Sequence, residues 1–235
     1  MSIGSDPSSR KQRIGCGGST VERERYFPSH AGQELNMGIG YATAYRTGII
    51  PWEKAGRAGR PTLERLLDRE EAARPDGIRR AIDLGCGRGA HTKLLLDRGW
   101  DAIGVDDVRQ AVDVAVHRNG LDDARFVIGD VRHLVHSGVG SGFDLFLDVG
   151  CFQGLDDAGR TLMAGGVTAL ALPGATVLVH AAPPRPWPLK TRGATQHDLE
   201  RAFRGWTVAV VPDDPATPDG SNTHGRTSTW FRLTR

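Results

Sequence analysis

A chain of 235 residues with a formal net charge of +2 is sized for one α/β domain with a sizeable core. That charge is too small to argue for a nucleic-acid partner, and no apolar run approaches the ~20 residues needed to span a bilayer. The three cysteines, Cys16, Cys86 and Cys151, are scattered and odd in number. Together with a polar N-terminus that lacks the apolar core of a signal peptide, they point to a reduced, cytoplasmic protein.

Residues 1–20, rich in Ser, Gly, Arg and Lys, are expected to form a weakly held tail. Residues 21–235 read as a single domain, in which 21–60 form an irregular segment carrying Tyr26, Phe27, Tyr41, Tyr45 and Trp52. Pro61 to Ala73 reads as a helix, with Pro61 in the first turn and Leu63, Leu66 and Leu67 at stripe spacing. Pro75-Asp76-Gly77 is a turn. The alternation of strands and helices begins at Arg80 and runs on through 235.

Ala81-Ile82-Asp83-Leu84 is an apolar strand that carries an acid near its end and runs into Gly85-Cys86-Gly87-Arg88-Gly89. Glycine at every second position lets the backbone turn sharply and approach a ligand closely. A nicotinamide-type fingerprint would place its third Gly one residue later. Asp83 would repel a pyrophosphate but suits a ligand with an ammonium group. The helical run from Ala90 to Leu96 follows, and Asp101 to Asp106 reads as a second strand. Its terminal acid lies 23 positions after Asp83, about the ~20-residue spacing that puts a carboxylate on a ribose. A third strand, Ala124 to Val131, closes on Gly129-Asp130, and a fourth, Phe143 to Asp148, again ends in an acid. Asp156 to Leu170 and Gln196 to Phe203 are expected helices; Ala175 to His180, Thr207 to Val211 and Ser228 to Leu233 are expected strands. Open parallel sheets bind ligands outside the carboxyl ends of their strands, where all four acids fall.

The stretch Asp83-Leu-Gly-Cys-Gly-Arg-Gly89 resembles the first motif of the Rossmann-like, class I S-adenosylmethionine-dependent methyltransferases. Tyr45-Arg-Thr-Gly-Ile-Ile-Pro-Trp52-Glu53 and Asp148-Val-Gly-Cys-Phe-Gln-Gly-Leu155 are similar to signatures of bacterial small-molecule methyltransferases akin to the thiopurine methyltransferase group. That resemblance implies a three-layer α/β fold with a seven-stranded, mostly parallel sheet, one antiparallel strand and helices on both faces. It implies S-adenosyl-L-methionine as cofactor, with S-adenosyl-L-homocysteine as product. By the same resemblance, residues 21–60 would act as a lid contributing Tyr45 and Trp52, and Asp130 and the Val131 backbone would meet the adenine. Asp83, Gly85, Gly87, Asp106, Asp148 and Val149 complete the expected cofactor set.

In one position the chain departs from the family pattern, with Gln153 where related sequences carry His. Gln orients a substrate through hydrogen bonds but takes no proton. Gln153 is therefore an expected orienting residue, and His180, at the end of the fifth strand, a candidate base. No histidine has metal-ligand spacing to a cysteine, so no metal is expected. Ala181 to Pro188, with Arg185 and Trp187, would border the acceptor. The reading is metal-independent methyl transfer to a small molecule by a monomer or homodimer that engages neither nucleic acid nor membrane. Two alternatives stay open: a cyclase that releases methylthioadenosine from the same cofactor, and a non-catalytic cofactor-binding subunit.

Overall fold

A computed structural model describes residues 59–184, 192–212 and 228–235. All of them fall in one compact unit. The expected tail and nearly all of the expected lid segment lie outside the described residues.

Helix α1 (Arg60–Ala72) opens with a proline in its first turn and buries Leu63, Leu66, Leu67 and Glu70. Strand β1 (Arg80–Leu84) leads through the glycine loop into α2 (Ala90–Asp97). Then come β2 (Asp101–Asp106), α3 (Arg109–Asn119), β3 (Phe126–Ile128), β4 (Phe143–Val149), α4 (Asp157–Leu170) and β5 (Ala171–Ala181). Helix α5 (Gln196–Ala202), β6 (Thr207–Val211) and β7 (Thr229–Thr234) complete the order. The strands run β3-β2-β1-β4-β5-β7-β6 across one sheet. Strands β1 to β5 pair in parallel, and β7 is antiparallel to both β5 and β6. This is the expected seven-stranded sheet with one reversed strand.

The central strands are apolar because both their faces are covered, which removes the need for alternation. Ile82, Phe146, Val177 and Val179 pack with Met163 and Val167 of α4 and Leu199 of α5 in one cluster. Ala81, Leu145, Leu147 and Leu178 pack with Leu63 and Leu67 of α1 and Leu94 and Leu95 of α2 in another. Helices therefore cover both faces.

Three details differ from the sequence reading. The third strand is only Phe126–Ile128, because Asp123–Arg125 forms a 3-10 turn first, started by the Asp122 side chain on the Ala124 N–H. The fifth strand starts earlier, at Ala171, but pairs irregularly there. Phe143 faces Ala171 while Leu145 faces Thr176, so the strand is irregular between them and Leu172 to Gly174 are exposed. Helix α3 was not anticipated, since its buried face, Ala111, Val112 and Ala115, is too small to make a clear stripe.

Glu70 is fully buried under α1 and paired with Arg74 and with Arg232 of β7, at 2.7 and 2.6 Å. It also accepts from the Thr176 hydroxyl at 2.7 Å. Burial pulls its carboxyl upward, but the bonds from Arg232, Thr176 and Arg74 win and hold it below the ordinary value.

Candidate functional site

The order of the strands reverses between β1 and β4, and the crevice outside their carboxyl ends is where such sheets take ligands. The loop after β1 is fixed there by Gly85 and Cys86, whose N–H groups both donate to the Val105 carbonyl at 2.8 and 3.0 Å. Gly85 has φ +68°, and a Cβ built on it would lie 2.7 Å from the Cβ of Cys151. Only glycine lets the β1 loop pack this closely on the turn that follows β4.

Asp106 closes β2 and is buried. Its Oδ2 accepts from the Gly87 N–H at 2.8 Å and its Oδ1 from the Val108 N–H at 2.9 Å. A carboxylate has about four lone-pair directions, so each oxygen keeps capacity for a ligand hydroxyl. Desolvation raises its pKa to about 6, against the opposing pull of those two N–H groups. Asp83, equally buried, accepts from the Thr92 hydroxyl at 2.7 Å, and burial raises it to about 6 as well. The neighbouring Asp107 is solvent-exposed, yet crowding by protein atoms and the charge of Asp130 raise its carboxyl too.

Asp148 has no exposed surface. Its two oxygens accept from the N–H groups of Cys151 and Phe152 at 3.0 and 2.8 Å, and burial pushes its pKa to about 7. It holds the turn after β4 in shape. Cys151, on that turn, feels the charges of Asp148, Asp106, Asp107 and Asp130, which add to burial in keeping its thiol protonated. The acids at the strand ends thus converge on one small region, as their order in the sequence implies.

Several expected residues are engaged differently. Asp130 caps the 3-10 turn Val131–His136 and grips Arg132, accepting from its backbone N–H at 2.8 Å and its Nε at 2.8 and 2.9 Å. Burial opposes ionisation, but the Arg132 bonds hold the carboxyl below its ordinary value. An adenine amino group would share this carboxylate with a guanidinium. The Val131 side chain is buried in the core. Val149 ends β4, half-buried, and pairs with His180.

Gln153 turns its Oε1 onto the Ala182 N–H at 2.5 Å. That ties the turn after β4 to the end of β5. His180 is buried and stacks on Trp230, ring centroids 4.7 Å apart. Burial and the proximity of His91 lower its pKa to about 4. His91, in the first turn of α2, is likewise lowered to about 4, by burial and by Arg60. Tyr45, Trp52, Arg185 and Trp187 lie outside the described residues. Sequence reasoning did not pick out Thr92 as the partner of Asp83, nor Arg132 as that of Asp130; Arg132, two residues after Asp130, was at least within sight. No group of three or more His, Cys, Asp or Glu side chains that would hold a metal occurs among the described residues. None of their helices is long and apolar enough to cross a membrane.

Residues 81–173 match the family model for a methyltransferase domain. Among solved structures, the chain is similar to the 1,6-didemethyltoxoflavin-N1-methyltransferase of Burkholderia thailandensis, a structure with S-adenosylhomocysteine bound. The TM-score is 0.60 at 20% identity, over 85% of this chain and 87% of that one. A TehB-like methyltransferase from Corynebacterium glutamicum matches at TM-score 0.56 and 21% identity, over 83% and 98% of the two chains. The N-methyltransferase NodS of Bradyrhizobium japonicum matches at 0.55 and 16%, over 75% and 86%. At these identities the likeness is one of fold.

Proposed function

From the premise that residues 81–173 match a methyltransferase domain, we propose that the enzyme transfers a methyl group from S-adenosyl-L-methionine to a small-molecule acceptor. The observation that carries the reading is the Gly85–Gly89 loop clasped by Asp106, with Asp83 buried beneath it. An anionic rim suits a ligand that bears a sulfonium and an ammonium and has no phosphate. Asp106 has lone pairs left for the ribose hydroxyls, and charge-assisted bonds of this kind are the strong ones. Asp83 lies below the loop, where it favours the amino group electrostatically. Asp148 and Val149 shape the floor under the methyl donor.

The bound cofactor supplies an electrophilic methyl whose transfer neutralises the positive sulfur. What the protein adds is placement of the nucleophile, the larger contribution in such displacements, and exclusion of water. Tyr45 and Trp52 belong to this reading as aromatic walls beside the cation, worth roughly 0.5–2 kcal/mol. Since the cofactor occupies the ends of β1 and β2, the acceptor approaches over β4 and β5. Gln153 stands at that border as an orienting amide. His180 stays the candidate acceptor for a released proton, but burial and a pKa lowered to about 4 make it a weak base there. We place the enzyme in the cytoplasm, as a monomer or homodimer.

Incubation of the enzyme with a metabolite extract and methyl-labelled cofactor, read by mass, is the test. A labelled acceptor together with S-adenosylhomocysteine is the expected result. Methylthioadenosine without a labelled acceptor would replace methyl transfer by cyclisation of the cofactor. Tight binding with no turnover would leave a cofactor-binding subunit.

A further inference from the structure

Arg160 lies in the first turns of α4, and only 6% of it is exposed. A buried guanidinium needs partners for its five donors, and this one finds them on three separate stretches of chain. Its Nε donates to the Phe152 carbonyl at 3.3 Å and an Nη donates to the Gln153 carbonyl at 3.4 Å. The same nitrogen donates to the Gly193 carbonyl. The other Nη stands 3.4 Å from Asp198, the third residue of α5, whose carboxylate also closes the capping box with Thr195. The guanidinium carbon Cζ lies 5.0 Å from the centre of the Phe152 ring.

These partners have one thing in common. The chain leaves β5 at Ala182 and returns at Ala194, and the two ends meet through the Ala194 N–H on the Ala182 carbonyl at 2.9 Å. The Ala182 N–H is held by Gln153, and Gly193 by Arg160. This neck is tight enough that a Cβ at Gly193 would lie 2.2 Å from the Pro184 nitrogen. Arg160 and Gln153 together therefore lock the turn after β4 against the neck after β5. Both sit at the carboxyl ends of the two strands over which, on the proposed function, the acceptor approaches.

We propose that Arg160 is a positioning residue for the acceptor. It touches neither the cofactor loop nor Asp83 or Asp106, and it acts through the Phe152 and Gln153 carbonyls to fix the spacing of the two acceptor-side stretches. Its loss changes recognition of the acceptor and spares recognition of the cofactor.

The experiment compares wild type with Arg160→Lys and Arg160→Met. Lysine keeps a charge beside Asp157 and Asp198 but cannot span three carbonyls, so it remains informative if the methionine variant does not fold. Amide exchange is followed at Ala182 and Ala194, with Leu145 and Leu147 as controls, and S-adenosylhomocysteine binding is measured by calorimetry. Methyl transfer is titrated against dilutions of the metabolite extract. The variants should speed exchange at the two neck amides and raise the half-saturating extract concentration by about tenfold or more, the scale of a hydrogen bond to a charged group. Maximal rate and cofactor Kd should stay within about twofold. Unchanged exchange in a folded variant overturns the proposal. So does faster exchange with unchanged half-saturation, which leaves a structural staple only, and so does an equal loss of cofactor affinity. Wild-type protein that neither binds S-adenosylhomocysteine nor labels any compound rejects the proposed function, a result the variants cannot mimic.

Discussion

Asp106 holds the loop, and on the proposed function the same side chain also holds the ligand. Its free pKa of about 6 means that below this pH the carboxyl holds a proton, and ribose hydroxyls would bind the ionised form better. A group whose pKa drops on binding releases its proton, so affinity rises with pH up to the free pKa and then levels. S-adenosylhomocysteine should therefore bind more tightly from pH 5 to pH 7 and no further above that. Asp106→Asn should cost about 1–3 kcal/mol of affinity and flatten the rise. Part of that cost comes from the loop, since Gly87 and Val108 bond different carboxylate oxygens and the amide would turn its NH2 donor toward one of those N–H groups. Calorimetry at several pH values checks it; an unaltered slope in the variant would move the ribose to Asp107.

At the scale of elements, the site depends on two turns that touch. Gly85→Ala would force a left-handed backbone on alanine, at roughly 1–2 kcal/mol. It would also push a methyl into Cys151, with overpacking worth about 1–3 kcal/mol. Urea unfolding should show a loss of stability of this order, and cofactor binding should weaken with it, because the turn after β4 must shift. A variant as stable as wild type would mean that the contact yields easily. The strands and most helices were legible because most bury an apolar run or stripe, as in Leu145 to Leu147 or Leu63, Leu66 and Leu67. The acids Asp83, Asp106 and Asp148 were legible because strand ends fix where they lie. What their oxygens bind was not. Asp148 faces its own turn, Asp130 faces Arg132 two residues on, and Gln153 reaches Ala182 across the sheet. Side-chain direction in a turn follows from packing that periodicity does not encode. Arg160 is a further case, since nothing in its surrounding sequence announces the carbonyls of Phe152, Gln153 and Gly193.

For the whole molecule, buried titratable groups of opposite kind set the dependence of stability on pH. Asp83 and Asp106 at about 6 and Asp148 at about 7 lie above the ordinary carboxyl value. The stability they contribute is complete below about pH 4 and is lost as pH rises through 6 to 7. His91 and His180, at about 4, lie below the ordinary imidazole value. Their contribution is present above about pH 6.5 and is lost as pH falls through 4. Over pH 4 to 6 the two imidazoles offset two of the three carboxyls, so the unfolding free energy of the ligand-free protein should fall there by only about 1.4 kcal/mol per pH unit. Between about pH 6.5 and 8 only Asp148 still titrates, and stability should decline by under about 1 kcal/mol. The double variant His91→Gln, His180→Gln should uncover the carboxyl contribution as a steady fall from pH 4 to 7 in denaturant titrations. A flat profile in that variant would place the three carboxyls at ordinary values.

The ion cluster under α1 carries a consequence for synthesis. Glu70 is completed by Arg232, 162 residues later in the chain. Chains emerge from the ribosome at about 5–20 residues per second, so Glu70 waits on the order of ten seconds or more for its second arginine. Until then, docking α1 on the sheet would bury a carboxylate satisfied only by Arg74 and Thr176, a half-built network that costs more than none. The helix that precedes β1 is therefore among the first elements made and among the last to seat. A nascent chain can assemble β1 to β5 beforehand, but one flank of its crevice stays open until β7 has slotted between β5 and β6.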